Sequence, residues 1–230
     1  MSGGSSNAGF NGDSNLKPTL SQPRNLDQTQ YSYSQNSDGT MTYDSPEEMA
    51  QYLYADQGSA YTNFQGTCGL CSCANVLRLS GVNLGEKDII DYAAKADLCT
   101  KTLFNFPANG GTSPAERQKI LEHFGIPSST YPIHMDNGTA TIESINDIAN
   151  HVADGRGVIV SVHANTLYNK GPAKNDFHAV TVTSVKKNKY GDVAGFYICD
   201  SNRGTTYYPA FVVQEALTGN DMNVTNTHIR

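Results

Sequence analysis

The secondary-structure signals of this chain change character once, near Gly157. Before that point, apolar residues recur at helical spacing in segments bounded by capping residues and glycines, as in residues 86–95. After it, β-branched and aromatic runs dominate, as in residues 178–185. Helices followed by antiparallel strands predict an α+β domain, in which a helical half at 45–155 packs on an antiparallel sheet at 156–230.

The predicted elements are short and separated by turn signals. Serine followed by proline and glutamate marks a capped helix start twice, and a glycine follows the last apolar residue of several helical segments. The predicted helices begin at Ser45, Cys68, Glu86, Ser113 and Ile142, and the predicted strands cover 158–162, 178–185, 194–199, 207–208 and 224–229.

Residues 1–44 differ from the rest because Ser, Gly, Asn, Gln and Asp dominate them without periodic apolar positions. Such a composition buries little apolar surface, so it predicts a flexible or extended linker. Pro18 and Pro23 would suit a pro-like segment that packs extended against the domain. A chain that opens on such a tract is expected to be the carboxy-terminal piece of a larger protein.

The composition argues against several functional classes. A net charge of -6 and a pI near 5.4, without a basic cluster, argue against a nucleic-acid-binding surface. No apolar stretch is long enough to span a membrane, and the first residues lack the pattern of a secretory leader. Five cysteines, three of them between positions 68 and 73, suit neither a disulfide framework nor a zinc site. We therefore expect no metal, no cofactor and a reducing environment.

Cys68 stands where a helix is predicted to begin. A free thiol with a pKa of about 8.5 is mostly protonated at neutral pH, so a cysteine nucleophile needs a group that stabilises its thiolate. The positive end of the helix dipole and the unpaired backbone N–H groups at a helix start supply that stabilisation, and the same N–H groups can bind an oxyanion. This placement makes Cys68 a candidate nucleophile.

His178 and Asp200 lie on the two strands of a predicted hairpin. His178 opens the run 178–185 and the return strand ends at Asp200, so antiparallel pairing brings the carboxylate back to the imidazole. We expect Asp200 to accept a hydrogen bond from Nδ1 and so to orient the ring, while the other nitrogen faces a cysteine sulfur. His163, at the end of the preceding strand, is a weaker second candidate for the imidazole.

Cysteine, histidine and carboxylate follow the order found in the papain-like cysteine peptidase superfamily. The chain resembles its bacterial branch, which includes the bacteriocin-processing peptidases that cleave after two glycines and the papain-fold domains of secreted toxins. A papain-like fold is implied, with the nucleophile on the helical half, the histidine on the sheet half and the substrate between them. The resemblance rests on Cys68-Gly69 before a helix, His178-Ala179-Val180 on a strand and Asp200-Ser201 at the end of the next strand.

Two registers of this resemblance name different nucleophiles. In the register of plant papain, the run from Gln65 to Cys71 makes Cys71 the nucleophile and Gln65 the side-chain oxyanion donor. In the register of the double-glycine branch, Cys68 is the nucleophile and the role of Gln65 is less direct. A glycine after Cys68, and a chain without tryptophan where papain has one, favour the second register. Cys73 and Cys199 are expected to be buried in the core.

The resemblance implies a protease that cleaves a protein substrate through a triad of Cys68, His178 and Asp200 and a thioester intermediate. It further implies a bacterial toxin or effector domain, delivered by a secretion system into the reducing cytoplasm of a target cell, with an immunity protein in the producer. The same triad also serves glutamine deamidases and transglutaminases. A binding module that keeps the fold without catalysis is the other alternative.

Overall fold

The computed structural model describes residues 33–43, 56–171 and 176–229. The helix predicted to begin at Ser45 lies outside these ranges. The helices of the described part are α1 Cys68–Leu79, α2 Glu86–Lys95, α3 Pro114–His123, α4 Ile142–Ala153, α5 Ala164–Leu167 and α6 Ala210–Ala216, with a 3₁₀ turn at Phe106–Ala108. None of these helices combines the length and the apolar character needed to cross a lipid bilayer.

The longer helices α1 to α4 begin within one residue of their predicted positions. Local capping explains two of these starts. The Ser113 hydroxyl accepts a hydrogen bond from the backbone N–H of Glu116 at 3.3 Å, and the Glu116 carboxylate accepts one from the Ser113 N–H at 2.6 Å. At α4, the Thr141 hydroxyl accepts from the Ser144 N–H at 3.3 Å. Because these caps satisfy N–H groups that a helix leaves unpaired, each helix begins at a defined residue.

The strands form one large antiparallel sheet and a separate small hairpin. They are β1 Tyr33–Gln35, β2 Met41–Tyr43, β3 Ser128–Tyr131, β4 Met135–Asp136, β5 Thr139–Ala140, β6 Val158–His163, β7 Phe177–Lys187, β8 Val193–Asp200, β9 Gly204–Pro209 and β10 Met222–Thr225. The order in the large sheet is β1-β2-β7-β6-β10-β3, with β8 paired to β7 and β9 to β8, while β4 pairs with β5. Most helices precede the long antiparallel strands, which confirms the predicted α+β class.

Two apolar clusters cover the two faces of the sheet. Ala179 and Cys199 belong to the cluster that includes α1, α2 and α3, whereas Val180, Val182 and Ile198 belong to the cluster that includes α4 and α6. This alternation follows from the two-residue period of a strand. Burial of each branched side chain contributes roughly 1.5–3 kcal/mol to the free energy of folding. Because both faces of the central strand β7 are buried in this way, the strand is a stable support for the residues at its start.

The last strand differs from the sequence prediction. It is β10, at 222–225, rather than the predicted 224–229. All residues of β10 are buried, and two of them, Asn223 and Thr225, are polar. Because polar side chains occupy two of the buried positions, residues 222–225 show no alternating hydrophobic pattern. The predicted strand was therefore placed too late in the sequence, at 224–229.

A hairpin also forms inside the tract predicted as linker. β1 pairs with β2, and β2 pairs with the end of β7. The turn is held by Asn36, whose side-chain amide donates to the hydroxyls of Thr40 and Thr42 at 2.9 Å each. These local polar contacts, with Gly39 at a φ of 81°, form a hairpin without the apolar alternation that would have predicted it.

Candidate active site

Cys68 is the most accessible of the cysteines. It is the first residue of α1 and is half-buried, whereas Cys71, Cys73, Cys99 and Cys199 are buried, and all of them are free thiols. The core positions of Cys73 and Cys199 agree with the sequence prediction. A helix leaves its first N–H groups without intrahelical acceptors, so the Cys68 sulfur lies where backbone donors and the positive end of the helix dipole converge.

His178 and Asp200 meet at the ends of β7 and β8. The register of the two strands, with Thr181 opposite Cys199, brings the end of β8 back to the start of β7. His178 Nε2 lies 2.8 Å from Asp200 Oδ1, and both side chains are buried. The Tyr168 hydroxyl donates to Asp200 Oδ2 at 2.6 Å, so the carboxylate is held from a second side.

The imidazole is oriented in the opposite way to the sequence prediction. Nε2, rather than Nδ1, faces Asp200, which leaves Nδ1 for Cys68. The physical reason is the approach of the sulfur: Cys68 is hydrogen-bonded to the backbone N–H of Ala179 as well as to the His178 ring. The sulfur therefore lies near the backbone of β7, where the proximal nitrogen Nδ1 is within reach, and the distal Nε2 extends to the carboxylate.

The electrostatics of this group favour a charged pair. Burial alone would raise the pKa of Cys68, but the hydrogen bond and charge of His178, the Ala179 N–H and the charge of Arg117 outweigh it, and the pKa falls below its ordinary value. Burial alone would lower the pKa of His178, but hydrogen bonds to Asp200 and Cys68 raise it to about 10. Both shifts favour the thiolate–imidazolium pair over the neutral thiol and imidazole.

Cys71 has different neighbours. One helical turn after Cys68, its sulfur is fully buried and lies 3.8 Å from Glu86 Oε1 and 3.9 Å from the Thr67 hydroxyl. Burial, followed by the charge of Glu86, holds the pKa of Cys71 well above its ordinary value. The structure thus brings His178 to Cys68, and it packs Cys71 against a carboxylate.

Gln57, rather than Gln65, lines the cleft. Gln65 is exposed, and its amide donates to the Thr62 carbonyl at 3.4 Å. Gln57, on the loop before α1, lines the cleft beside Cys68. Its side-chain oxygen accepts from the Ser201 hydroxyl at 2.8 Å, and its amide nitrogen donates to the Gln65 carbonyl at 3.2 Å. No sequence spacing identified Gln57, because a loop of irregular backbone separates it from Cys68.

Glu86, the first residue of α2, holds that loop in place. Its buried carboxylate accepts hydrogen bonds from the backbone N–H groups of Gly58 at 2.6 Å and Ala60 at 2.8 Å, and from the Thr67 hydroxyl. Thr67 immediately precedes Cys68. One carboxylate therefore ties the segment that carries Gln57 to the start of α1, although the sequence suggested only a helix start at this residue.

A cleft of about 490 Å³ runs between the helical half and the sheet half. Its lining includes Gln57, Cys68, Pro107, Arg117, Asp176 and His178. Pro107 passes so close to the segment before α1 that a Cβ on Gly66 would lie 2.5 Å from the Pro107 carbonyl oxygen. The loop at 107–109 and the chain before Cys68 therefore form one closely packed wall of the cleft.

His163 forms a second histidine–carboxylate pair. Its Nδ1 lies 3.2 Å from Asp176 Oδ1, and the Asp176 carboxylate also accepts from the Asn165 N–H. On the sheet it pairs with Phe177, next to His178. Throughout the described residues, no group of three or more His, Cys, Asp or Glu side chains is arranged to hold a metal ion.

Comparison with solved structures supports the fold. The chain is similar to a C39-like peptidase from Bacillus anthracis, with 11% identity, a TM-score of 0.52 and coverage of 76% of this chain and 94% of that one. The chain is also similar to a double glycine motif protease from an AMS/PCAT transporter, solved with its leader peptide, with 16% identity, a TM-score of 0.41 and coverage of 69% of this chain and 83% of that one. A third similar structure is the Pseudomonas avirulence protein AvrPphB, with 13% identity, a TM-score of 0.35 and coverage of 77% of this chain and 97% of that one. No protein-family model and no curated protein matches the chain. The similarity to the C39-like peptidase supports a papain-like fold for this chain.

Proposed function

We propose that this chain is a cysteine peptidase that cleaves a protein substrate by acyl transfer through Cys68. The observation that carries the proposal is the buried pair of His178 and Asp200 beside the one half-buried thiol, at a helix start that opens into a cleft. The lowered pKa of Cys68 and the raised pKa of His178 support a thiolate–imidazolium pair as the resting state. The papain-like fold agrees with this chemistry.

The reaction divides into two proton-coupled steps. The Cys68 thiolate attacks the scissile carbonyl carbon, and the carbonyl oxygen becomes an oxyanion. Nδ1–H of the His178 imidazolium protonates the amine as the C–N bond breaks, which leaves a thioester and a neutral imidazole. Water then loses a proton to Nδ1 as it attacks the thioester, and the C–S bond breaks to restore the thiolate. Asp200 keeps the proton on Nε2 and so keeps Nδ1 free for transfer.

Oxyanion stabilisation is assigned to the backbone N–H of Cys68 and the side-chain amide of Gln57. The backbone group lies at the start of α1, where it lacks an intrahelical acceptor. The Gln57 amide has one hydrogen on the Gln65 carbonyl and a second available to a substrate in the cleft. This assignment replaces Gln65, whose exposed side chain is bonded to the Thr62 carbonyl.

The proposal is tested by adding the purified chain to lysates of bacterial and eukaryotic cells and identifying new protein amino-termini by mass spectrometry. Cleavage that disappears in Cys68→Ala and in His178→Ala, and persists in Cys71→Ala, supports it. Intact targets that gain about one dalton at a glutamine, or that become cross-linked, would instead identify a deamidase or a transglutaminase, which form the same thioester. Cys68 alkylation no faster than that of a free thiol would favour a binding module.

We also propose that the domain acts as a delivered bacterial effector or toxin in a reducing cytoplasm. Support comes from the chemistry of the thiolate, which is the form most susceptible to oxidation and stays nucleophilic only while reduced. Expression inside a bacterial or eukaryotic cell should slow growth with wild type and not with Cys68→Ala. A neighbouring gene product that relieves the toxicity and binds the chain would identify the immunity protein.

A further inference from the structure

Arg117 is a buried cation at the floor of the cleft. It lies in the middle of α3, is 1% exposed and is the largest fully buried side chain of the described residues. Its guanidinium donates to three neutral acceptors: the Asn223 side-chain oxygen at 2.8 Å, the Thr112 carbonyl at 3.3 Å and the Ser161 hydroxyl at 3.3 Å. In the described part of the chain, no carboxylate lies within ion-pair distance of it.

A buried charge without a counter-ion is expensive, with a penalty of several kcal/mol after relaxation. The elements packed on α3 are α1, α2, β3 and β10, and the two strands contribute no carboxylate. On α3 itself, the Glu116 carboxylate caps the Ser113 N–H. On α2, Asp88 caps the Gly85 N–H, Asp91 pairs with Lys87, and Glu86 accepts hydrogen bonds from two loop N–H groups. Glu122 of α3 is exposed, and Asp176, in the lining of the same cleft, pairs with His163.

The remaining candidates for a counter-ion are the thiols of α1. Burial raises the pKa of Cys73 to about 12, so this thiol is neutral at physiological pH. Cys68 has the opposite shift, and the Arg117 charge is one of its causes. Cys68 and Arg117 line the same cleft, so Cys68 is the thiol of α1 whose ionised form the guanidinium can stabilise.

The glycine after Cys68 permits this approach. A Cβ on Gly69 would overlap the Thr112 hydroxyl and would lie 3.4 Å from Arg117 Cδ. A larger residue would displace the Thr112 side chain, which lies in the loop just before α3. Gly69 therefore has a packing role, in addition to leaving room for a substrate.

We propose that Arg117 is a positioning residue for the nucleophile, a fixed second cation that keeps the Cys68 thiolate charged together with His178. The two cations differ in one respect that matters for turnover. His178 becomes neutral when it protonates the leaving amine, whereas a guanidinium does not lose its proton in a protein. Arg117 thus stabilises the sulfur anion at the moment when the thioester releases it. This inference rests on Cys68 as the reactive thiol and does not require that the substrate be a peptide bond.

The groups that face the Cys68 sulfur come from several elements. His178 lies on β7 with Asp200 of β8 behind it, Arg117 lies on α3, and Cys71 lies on the same helix. Asp176 lines the same cleft from the segment before β7. A measured ionisation of Cys68 therefore reports the sum of these charges, and the contribution of Arg117 must be isolated by substitution.

The experiment is the pH dependence of iodoacetamide alkylation at Cys68, read by peptide mass spectrometry on the full chain with Cys68→Ser as the blank. Arg117→Gln removes the charge and should raise the midpoint by about one pH unit. Asn223→Asp keeps the acceptor for Arg117 and places a carboxylate against the guanidinium, so it should also raise the midpoint, although it loses the amide donor to the Pro114 carbonyl. Asn223→Ala removes both the acceptor for Arg117 and the donor to Pro114 without adding charge, and it should shift the midpoint by less than a third as much as Asn223→Asp.

Two results would overturn the inference: a midpoint in Arg117→Gln equal to that of wild type, or equal shifts in Asn223→Asp and Asn223→Ala, which would indicate a structural role alone. If Arg117→Gln does not fold, the two Asn223 variants still decide the question. Because alkylation needs no substrate, a chain that shows the Arg117 dependence yet cleaves no protein would refute the proposed peptidase activity and still support this inference.

Discussion

Two thiols on one helix, Cys68 and Cys71, are separated by a single turn and have opposite electrostatic surroundings. Cys68 is half-buried and faces His178 and Arg117, whereas Cys71 is fully buried and faces Glu86. The first environment lowers the pKa of its thiol, and the second raises it well above the ordinary value. The reactivity of a cysteine in a motif is thus decided by the charges that the rest of the fold brings to it.

The difference also shows why both registers of the sequence motif were plausible. Each cysteine lies in the first turn of α1, where the helix dipole favours a thiolate. The helix dipole stabilises a thiolate by at most about 1–2 kcal/mol, which corresponds to lowering the pKa of the thiol by about one unit. The distinguishing contributions come from β7, α2 and α3, and none of them can be seen within the motif.

The strongest test of the comparison is removal of each sulfur. Cys68→Ala should lower kcat/KM for a cleaved target by at least about 10⁴, because the nucleophile is lost. Cys71→Ala should change it by less than about fivefold, since removal of a small buried side chain costs mainly stability. Peptide cleavage rates measure both variants. A large loss in Cys71→Ala, with Cys68→Ala active, would establish the papain register instead.

The two glutamines extend the same test to the oxyanion site. Gln57→Ala should lower kcat by about 10² to 10³ with little change in KM, the usual consequence of losing one oxyanion donor. Gln65→Ala is the matched control, because it removes the same side chain from an exposed position, and it should change kcat less than about threefold. Steady-state kinetics on the cleaved target measures both. Equal losses would show that the loop before α1 moves when substrate binds and brings Gln65 into use.

The parts of the site that the sequence predicted have local signals. Cys68 follows from the start of a helix, and His178 and Asp200 follow from a hairpin whose strands have a clear β-branched pattern. The parts that it did not predict depend on distant contacts. In the sequence, Arg117 is indistinguishable from an ordinary charged residue on a helix. Its buried position depends on a hydrogen bond to Asn223, which lies 106 positions away in the chain.

The orientation of the imidazole was missed for a related reason. Pairing of β7 with β8 places Asp200 near His178 but does not decide which ring nitrogen faces it. That choice depends on where the sulfur approaches, and hence on the packing of α1 against β7, which brings Cys68 to the Ala179 N–H. Gln57 was missed because loop geometry, held by Glu86, decides its position.

The pH dependence of catalysis is the third test, and its sign follows from the pair. The active form needs a Cys68 thiolate and a His178 imidazolium, so activity should rise through the lowered pKa of Cys68 and fall near pH 10, where His178 loses its proton. Asp200→Asn removes the charge that raises the pKa of His178. The alkaline limb should then move to lower pH, while the acid limb should move little because His178 is still protonated where Cys68 ionises, and kcat should fall by about ten- to a hundredfold.

A suitable control for this profile is Asp154→Asn, at a histidine–carboxylate pair with His228 outside the cleft residues. It removes a comparable charge and should move neither limb by more than about 0.3 pH units. An Asp200→Asn profile with an unmoved alkaline limb would mean that the carboxylate orients the ring without stabilising its charge.

The smallest expected effect on activity concerns the carboxylate that distinguishes the surroundings of Cys71. Glu86→Gln leaves an amide NH₂ facing the N–H groups of Gly58 or Ala60, so two donors meet where a donor and an acceptor met before. We expect the free energy of unfolding to fall by about 2–3 kcal/mol and kcat to fall a few-fold, because the loop of Gln57 loosens. Denaturant unfolding and steady-state kinetics measure these changes.

Glu116→Gln provides the matched control, because this carboxylate also accepts a backbone N–H at a helix start but is not buried. This substitution should lower the free energy of unfolding by no more than about 1 kcal/mol, and kcat should be unchanged.

In Glu86→Gln the iodoacetamide midpoint of Cys68 should move little, since His178 and Arg117 still face its sulfur. Loss of kcat with an unchanged midpoint would separate the two halves of the site: cations hold the nucleophile ionised, while the buried carboxylate positions the loop that receives the oxyanion. A midpoint that rises together with the loss of kcat would mean that Glu86 instead maintains the whole start of α1, and the contrast between the two thiols would then depend on a single buried residue.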